Sequence, residues 1–123
     1  MKVEVCFLIG TDGMLLWADQ SASPYALPDS RARWEAIWRH RDHLAEIAHT
    51  HPAGTAAFSA EDESTMAAID AALGRHLTYA VVTATAMVRR LPCGSDERTA
   101  PEDEPWWAGP LRAESGIREG ARS

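Results

Sequence analysis

Five short β-prone runs, interrupted twice by stretches of helical period, leave this chain few folds to adopt. The runs are VEVCFLI at 3–9, Met14–Ala18, Ala45–Thr50, LTYAVVTA at 77–84 and Met87–Leu91. The T-D-G sequence at 11–13 separates the first two and predicts a hairpin. Between the second and third runs, DQSASPYALPDS (19–30) is polar and carries two prolines, which marks a loop. Asp29 or Ser30 can then cap a helix running to about Leu44. In it Trp34, Ile37, Trp38 and Arg41 fall at i, i+3, i+4 and i+7, an amphipathic stripe with the stem of Arg41 at its edge. His40 and His43 lie among charged neighbours and read as solvated helix histidines. A second helix starts at Ser59, turns Met66, Ile69 and Leu73 inward, and ends at Gly74. The order β-β-α-β-α-β-β predicts a mixed sheet with helices packed on it, an α/β or α+β domain.

A chain of 123 residues is expected to form one domain that buries its own core without disulfides. The net charge of −6, with no basic block, lacks the footprint of a nucleic-acid binder. The apolar stretch in MKVEVCFLIGTDG is too short for a signal peptide or a spanning helix, so no membrane partner is expected. Cys6 and Cys93 sit inside or beside apolar runs and belong to no C-x-x-C pair. They read as reduced, mostly buried thiols of a cytoplasmic protein. From Pro92 onward the composition changes. GSDERTAPEDE is charged and irregular, PWWAGPLRAESG predicts one short docking helix (about 104–116), and IREGARS should fray. Trp106 and Trp107 in that stretch are expected to cover the domain's own core. This divides the chain into a domain at 1–91 and an extension at 92–123.

The chemistry concentrates in EIAHTHPAGTAAFSAEDEST, residues 46–65. On an extended strand His49 and His51 project from the same face, close enough to share one metal ion. Zinc suits imidazole plus carboxylate ligands. Asp62 is the candidate third ligand, because it lies one turn inside a helix whose start must be near the end of the histidine strand. Two His and one Asp leave a fourth tetrahedral position for water, the catalytic arrangement. Ser59 and Asp62 also have the spacing of a helix capping box, with Glu61 and Glu63 favouring the helix dipole. Taken alone, that pair reads as caps rather than catalysts.

His49-Thr50-His51, seven residues, Ser59, two residues and Asp62 together resemble the JAMM motif of the MPN+ (JAB) metalloproteases. Pro52 and Gly54 match the family's H-x-H-P-x-G. The resemblance implies a cytidine-deaminase-like fold, a mixed sheet between helices, over roughly residues 1–91. Deaminase chemistry itself is disfavoured, since His-x-Glu and Pro-Cys-x-x-Cys are both absent. His-Glu-x-x-His is absent as well.

The family also implies an upstream glutamate acting as general base. Glu46 has the wrong strand parity for this, and Glu35 reads as an exposed helical residue. Glu4 precedes CFLIG much as the family's glutamate precedes a short apolar run ending in Gly. The usual preceding helix is missing, and Phe7 stands where a Gly is often found. Glu4 is the choice, with Glu35 as the alternative.

The implied activity is a zinc-dependent peptidase or isopeptidase with one Zn2+ per chain. It would be held by His49, His51 and Asp62, with Glu4 as base and Ser59 donating to the oxyanion. Family substrates include proteins carrying ubiquitin or ubiquitin-like modifiers. The chain resembles the small prokaryotic members, and no loop has room for ubiquitin-gripping insertions, so a compact ubiquitin-like tail fits best. The rival expectations are a catalytically idle MPN assembly module and a nucleic-acid-associated member like the RadC group.

Overall fold

A computed structural model describes residues 2–20 and 31–117. Its centre is a six-stranded mixed sheet of order β2-β1-β3-β4-β5-β6. The strands are β1 (Val5–Gly10), β2 (Leu15–Gln20), β3 (Leu44–Thr50), β4 (Thr78–Val82), β5 (Met87–Arg90) and β6 (Asp96–Arg98). The described helices are α1 (Arg31–Arg39), α2 (Ala60–Leu73) and α3 (Ala108–Ser115). Only β3 and β4 pair in parallel, joined by α2 as the crossover; all other neighbours are antiparallel. The α/β mixed-sheet expectation holds.

Strand alternation divides the core into two layers. Val5, Phe7 and Ile9 of β1, Ala48 of β3 and Ala80 and Val82 of β4 pack with Trp107, Ala108 and Leu111 of the α3 region. The intervening Cys6, Leu8, Ile47 and Tyr79 pack on the opposite face with Ala36 and Ile37 of α1 and Met66 and Ile69 of α2. Every buried strand is thus covered on both sides, which explains the near-continuous apolar runs at 5–9 and 79–82. A β-bulge where Ile9 faces Glu46 but Gly10 faces Leu44 shifts parity at one end of β3. It lets Leu44 join the α1/α2 layer while Glu46 faces the other way.

Several local expectations are corrected. The first helix ends at Arg39, not near Leu44. His40–His43 form turns, and Leu44, with 0% exposure, gains more as a buried strand residue than as a helix end. The expected inward stripe is therefore partial: Ile37 is buried, but Trp38 is 53% exposed and stacks under the guanidinium of Arg41 at 4.2 Å. Residues 19–20 continue β2 rather than opening the loop. The expected cap at Asp29 or Ser30 lies outside the described residues.

Asp96–Arg98, expected to be irregular, forms the edge strand β6. Its side chains are all exposed, and backbone pairing to β5 needs no apolar pattern. An ion pair of Arg90 with Asp96 at 2.6 Å spans the two strands, and Gly94 at φ +94° makes the turn between them. Charged side chains on such an edge also discourage pairing with other chains. Cys93 is exposed rather than buried; both cysteines are free thiols. Ile117, placed by the sequence in a fraying tail, is 5% exposed. Trp107 is 2% exposed and serves the core, whereas Trp106 is 57% exposed and donates its indole N–H to the Gly13 carbonyl.

Candidate metal centre

The centre forms where β3 ends, α2 begins and the residue before β1 comes alongside. His49 is in β3, and His51 extends the ladder past it by donating its N–H to the Val82 carbonyl at 2.9 Å. Both imidazoles therefore leave the same face, as strand parity requires, and their Nε2 atoms lie 3.0 Å apart. A turn closed by Gly54 N–H on the His51 carbonyl follows. The ring of His51 folds over that turn and meets the Thr55 carbonyl through Nδ1 at 3.0 Å.

Ser59 is the N-cap of α2, and the capping box is complete. Ser59 Oγ accepts from Asp62 N–H at 3.0 Å, and Asp62 Oδ2 accepts from Ser59 N–H at 2.8 Å. The same Asp62 carboxylate reaches both histidines, with Oδ1 3.2 Å from His49 Nε2 and Oδ2 3.1 Å from His51 Nε2. Capping and facing the imidazoles are thus performed together by one side chain.

Glu4 is 5% exposed. The antiparallel register pairs Cys6 with His49, so continuing it by two residues sets Glu4 opposite His51. Glu4, His49 and His51 each offer a ligand atom within 4.8 Å of the others. The other two glutamates considered from the sequence, Glu35 and Glu46, are elsewhere. Glu35 is on the outer surface of α1, tied to Arg31 at 2.8 Å. Glu46 faces the opposite side of the sheet and is bound twice by Arg89, at 2.8 and 2.6 Å.

The donor set fits a metal ion. A backbone carbonyl can only accept, so His51 Nδ1 carries the proton toward Thr55 O. In the neutral ring its Nε2 then presents a lone pair to an Asp62 oxygen and to His49 Nε2. Lone pairs at 3.0–3.2 Å repel one another unless a cation, a proton or a metal, is shared among them. Tetrahedral zinc with Zn–N of about 2.0–2.1 Å needs donor atoms roughly 3.3 Å apart, close to this triangle. The Nδ1 bond to Thr55 is of the kind that orients a histidine for metal ligation.

The two carboxyl groups are driven apart electrostatically. Burial pushes Glu4 up from 4.5 to about 7, only partly offset by the nearby His51. Burial opposes ionisation of Asp62 too, but hydrogen bonds from His49 and His51 prevail and hold it well below the usual carboxylate range. His51 is raised: burial disfavours its charged form, and the Asp62 and Thr55 hydrogen bonds overcome that. The two carboxyl groups thus differ, Asp62 held ionised and Glu4 pushed toward neutrality, a pattern that also occurs in acid–base sites. The centre borders a cavity of about 470 Å³ that runs between α1 and α2 and is walled by Trp34, Ile37, Met66, Ile69 and Tyr79.

The profile for prokaryotic homologs of the JAB domain matches residues 5–94. The chain belongs to the prokaryotic JAB family. Among curated proteins, none matches the chain. The JAB-family match includes both histidines, Ser59 and Asp62, and begins one residue after Glu4. Among the described residues, no helix is long and apolar enough to cross a membrane.

Proposed function

We propose that this JAB-family chain is a zinc-dependent peptidase or isopeptidase of the JAMM type. The observation carrying this reading is that Glu4, His49, His51 and Asp62 converge at the edge of one cavity, with their two carboxyl groups shifted in opposite directions. His49, His51 and Asp62 would hold one zinc per chain. When bound, zinc supplies the Lewis acidity that activates water near neutral pH and polarises a carbonyl. Glu4, poised near neutrality, accepts the proton of the attacking water and returns it to the leaving amine. Ser59 accepts from Asp62 N–H through a lone pair, so its own O–H proton can be donated to the carbonyl oxygen as negative charge develops there.

The substrate class is a protein or peptide, best a compact ubiquitin-like protein cut at its C-terminal tail, in the cytoplasm. The acidic balance of the chain disfavours a nucleic-acid partner. The catalytic unit on this reading is residues 1–91, with 92–123 as an extension whose helix docks on it.

The test is metal analysis of protein purified without a polyhistidine tag, paired with cleavage of a ubiquitin-like protein fused through its C-terminal glycine to a reporter. Near-stoichiometric zinc and chelator-sensitive cleavage are expected. Protein that stays metal-free after zinc reconstitution sinks the proposal. Zinc-loaded protein that hydrolyses no fusion or peptide makes the chain an assembly module instead.

A further inference from the structure

The segment that carries Glu4 is gripped from the far side of the sheet. Two peptide groups flank the Glu4 Cα, one ending in the Val3 carbonyl and the other beginning at the Val5 N–H. Val5 N–H donates to Thr50 Oγ1 at 2.9 Å. Ser115 Oγ is hydrogen-bonded to the Val3 carbonyl oxygen and lies 3.0 Å from Thr50 Oγ1. Each hydroxyl has one proton, and a carbonyl can only accept. Ser115 Oγ faces both the Val3 carbonyl and Thr50 Oγ1 as donor and shares its one proton between them, and Thr50 Oγ1 takes the Val5 N–H. Val5 N–H, Thr50 Oγ1, Ser115 Oγ and the Val3 carbonyl oxygen thus form one continuous hydrogen-bonded run. Val3 N–H closes the clasp on the Ser115 carbonyl at 3.0 Å.

Only φ and ψ of Glu4 are soft between those two planar peptide groups, so holding both groups sets the direction in which its Cα–Cβ bond leaves the backbone. Thr50 and Ser115 are both 0% exposed, so water does not compete for these bonds. Ser115 is itself anchored, because α3 enters the core through Trp107 and Leu111. Val5 packs on that same α3 face, while Glu4, one residue earlier, lines the cavity of the metal centre. The backbone is thus held on one face and the carboxyl delivered to the other.

We propose that Ser115 and Thr50 are positioning residues for Glu4, and that α3 is a latch that keeps this carboxyl at the metal centre. Ser115 lies beyond the family-matched residues 5–94, so the family pattern does not assign it. The inference rests on the reading of Glu4 as a group acting at that centre.

The test uses the full chain loaded with Co2+ in place of zinc and its visible d–d spectrum, in a cycle of wild type, Glu4→Gln, Ser115→Ala and the double variant. Glu4→Gln is expected to alter the spectrum, and Ser115→Ala to alter it in the same direction with cobalt stoichiometry retained. The double variant should match Glu4→Gln alone, since a latch has nothing further to act on once the carboxylate is gone. Thr50→Val should behave as Ser115→Ala does, and Thr50→Ser, which keeps the hydroxyl, as wild type. If Ser115→Ala does not fold, the Thr50 pair decides the question. A wild-type spectrum for Glu4→Gln, for Ser115→Ala or for Thr50→Val overturns the proposal. So does an equal, additive Ser115→Ala change in both backgrounds, which marks a merely structural serine. Absence of any hydrolysis alongside an intact spectral cycle leaves the latch standing and removes only the proposed reaction.

Discussion

The two faces of the sheet each bury a glutamate, and they treat it in opposite ways. On the α3 face, Glu46 is 6% exposed and its two oxygens are each bound by the Arg89 guanidinium. Arg112 is satisfied in the same manner, by Glu104 and by the Thr83 carbonyl. That face is closed. On the α1/α2 face, Glu4 is equally buried at 5% but looks onto two imidazoles and a cavity. Burial alone therefore does not distinguish a structural acid from a chemical one. The partner does: a bidentate guanidinium occupies both carboxylate oxygens of Glu46, whereas Glu4 faces imidazoles and burial pushes it up.

The largest expected effect breaks the open face. His51→Ala removes a donor from the triangle, and elemental analysis should show zinc falling from near one per chain to a small residue. Wild-type retention of zinc in that variant excludes His51 as a ligand. Next, Glu4→Gln should leave a folded, zinc-loaded protein with hydrolysis down by at least about 100-fold, the low end for a general base. Glu35→Gln should match wild type, since Glu35 touches only Arg31 at the surface of α1. The reverse result would move the base to the helix.

Asp62→Asn separates capping from metal binding. Asn at this third helical position can still accept the Ser59 N–H, so helix stability should change by less than about 1 kcal/mol while zinc affinity drops by at least about 10-fold. Full zinc affinity in this variant reduces Asp62 to a cap. On the closed face, Glu46→Gln should cost about 2 kcal/mol in urea denaturation and leave zinc content unchanged. The cost is set below that of a fully buried pair because the Arg89 side chain is 26% exposed. Lost zinc in Glu46→Gln would mean that the two faces are coupled.

The smallest effect is a slope. In metal-free protein Glu4 holds its proton up to about 7, against 4.5 when unfolded. Between those values the unfolded chain releases a proton that the folded chain keeps, so stability falls as pH rises through that window. Glu4→Gln should flatten this part of the stability–pH curve. An unchanged slope would show that the Glu4 carboxyl is not desolvated.

What the sequence by itself determined was local. His49 and His51 share a face because strand side chains alternate, and Ser59 and Asp62 meet because an N-cap and the third helical residue are neighbours; neither relation needs the rest of the fold. Likewise Gly74 closes α2 in the left-handed conformation that its position in the sequence predicted. The extent of α1 and the strand at 96–98 were not legible, because the pull of Leu44 into the sheet and the backbone ladder of β6 are long-range effects. The glutamate was the harder case. Glu4, Glu35 and Glu46 are alike as residues, and what separates them is the pairing of β1 with β3 some 40 positions along the chain, which sets Glu4 opposite His51. Thr50 and Ser115 carried no signal at all in the sequence. Their role exists only because β3 and α3, 65 residues apart, bring two hydroxyls to 3.0 Å beneath the backbone that holds Glu4.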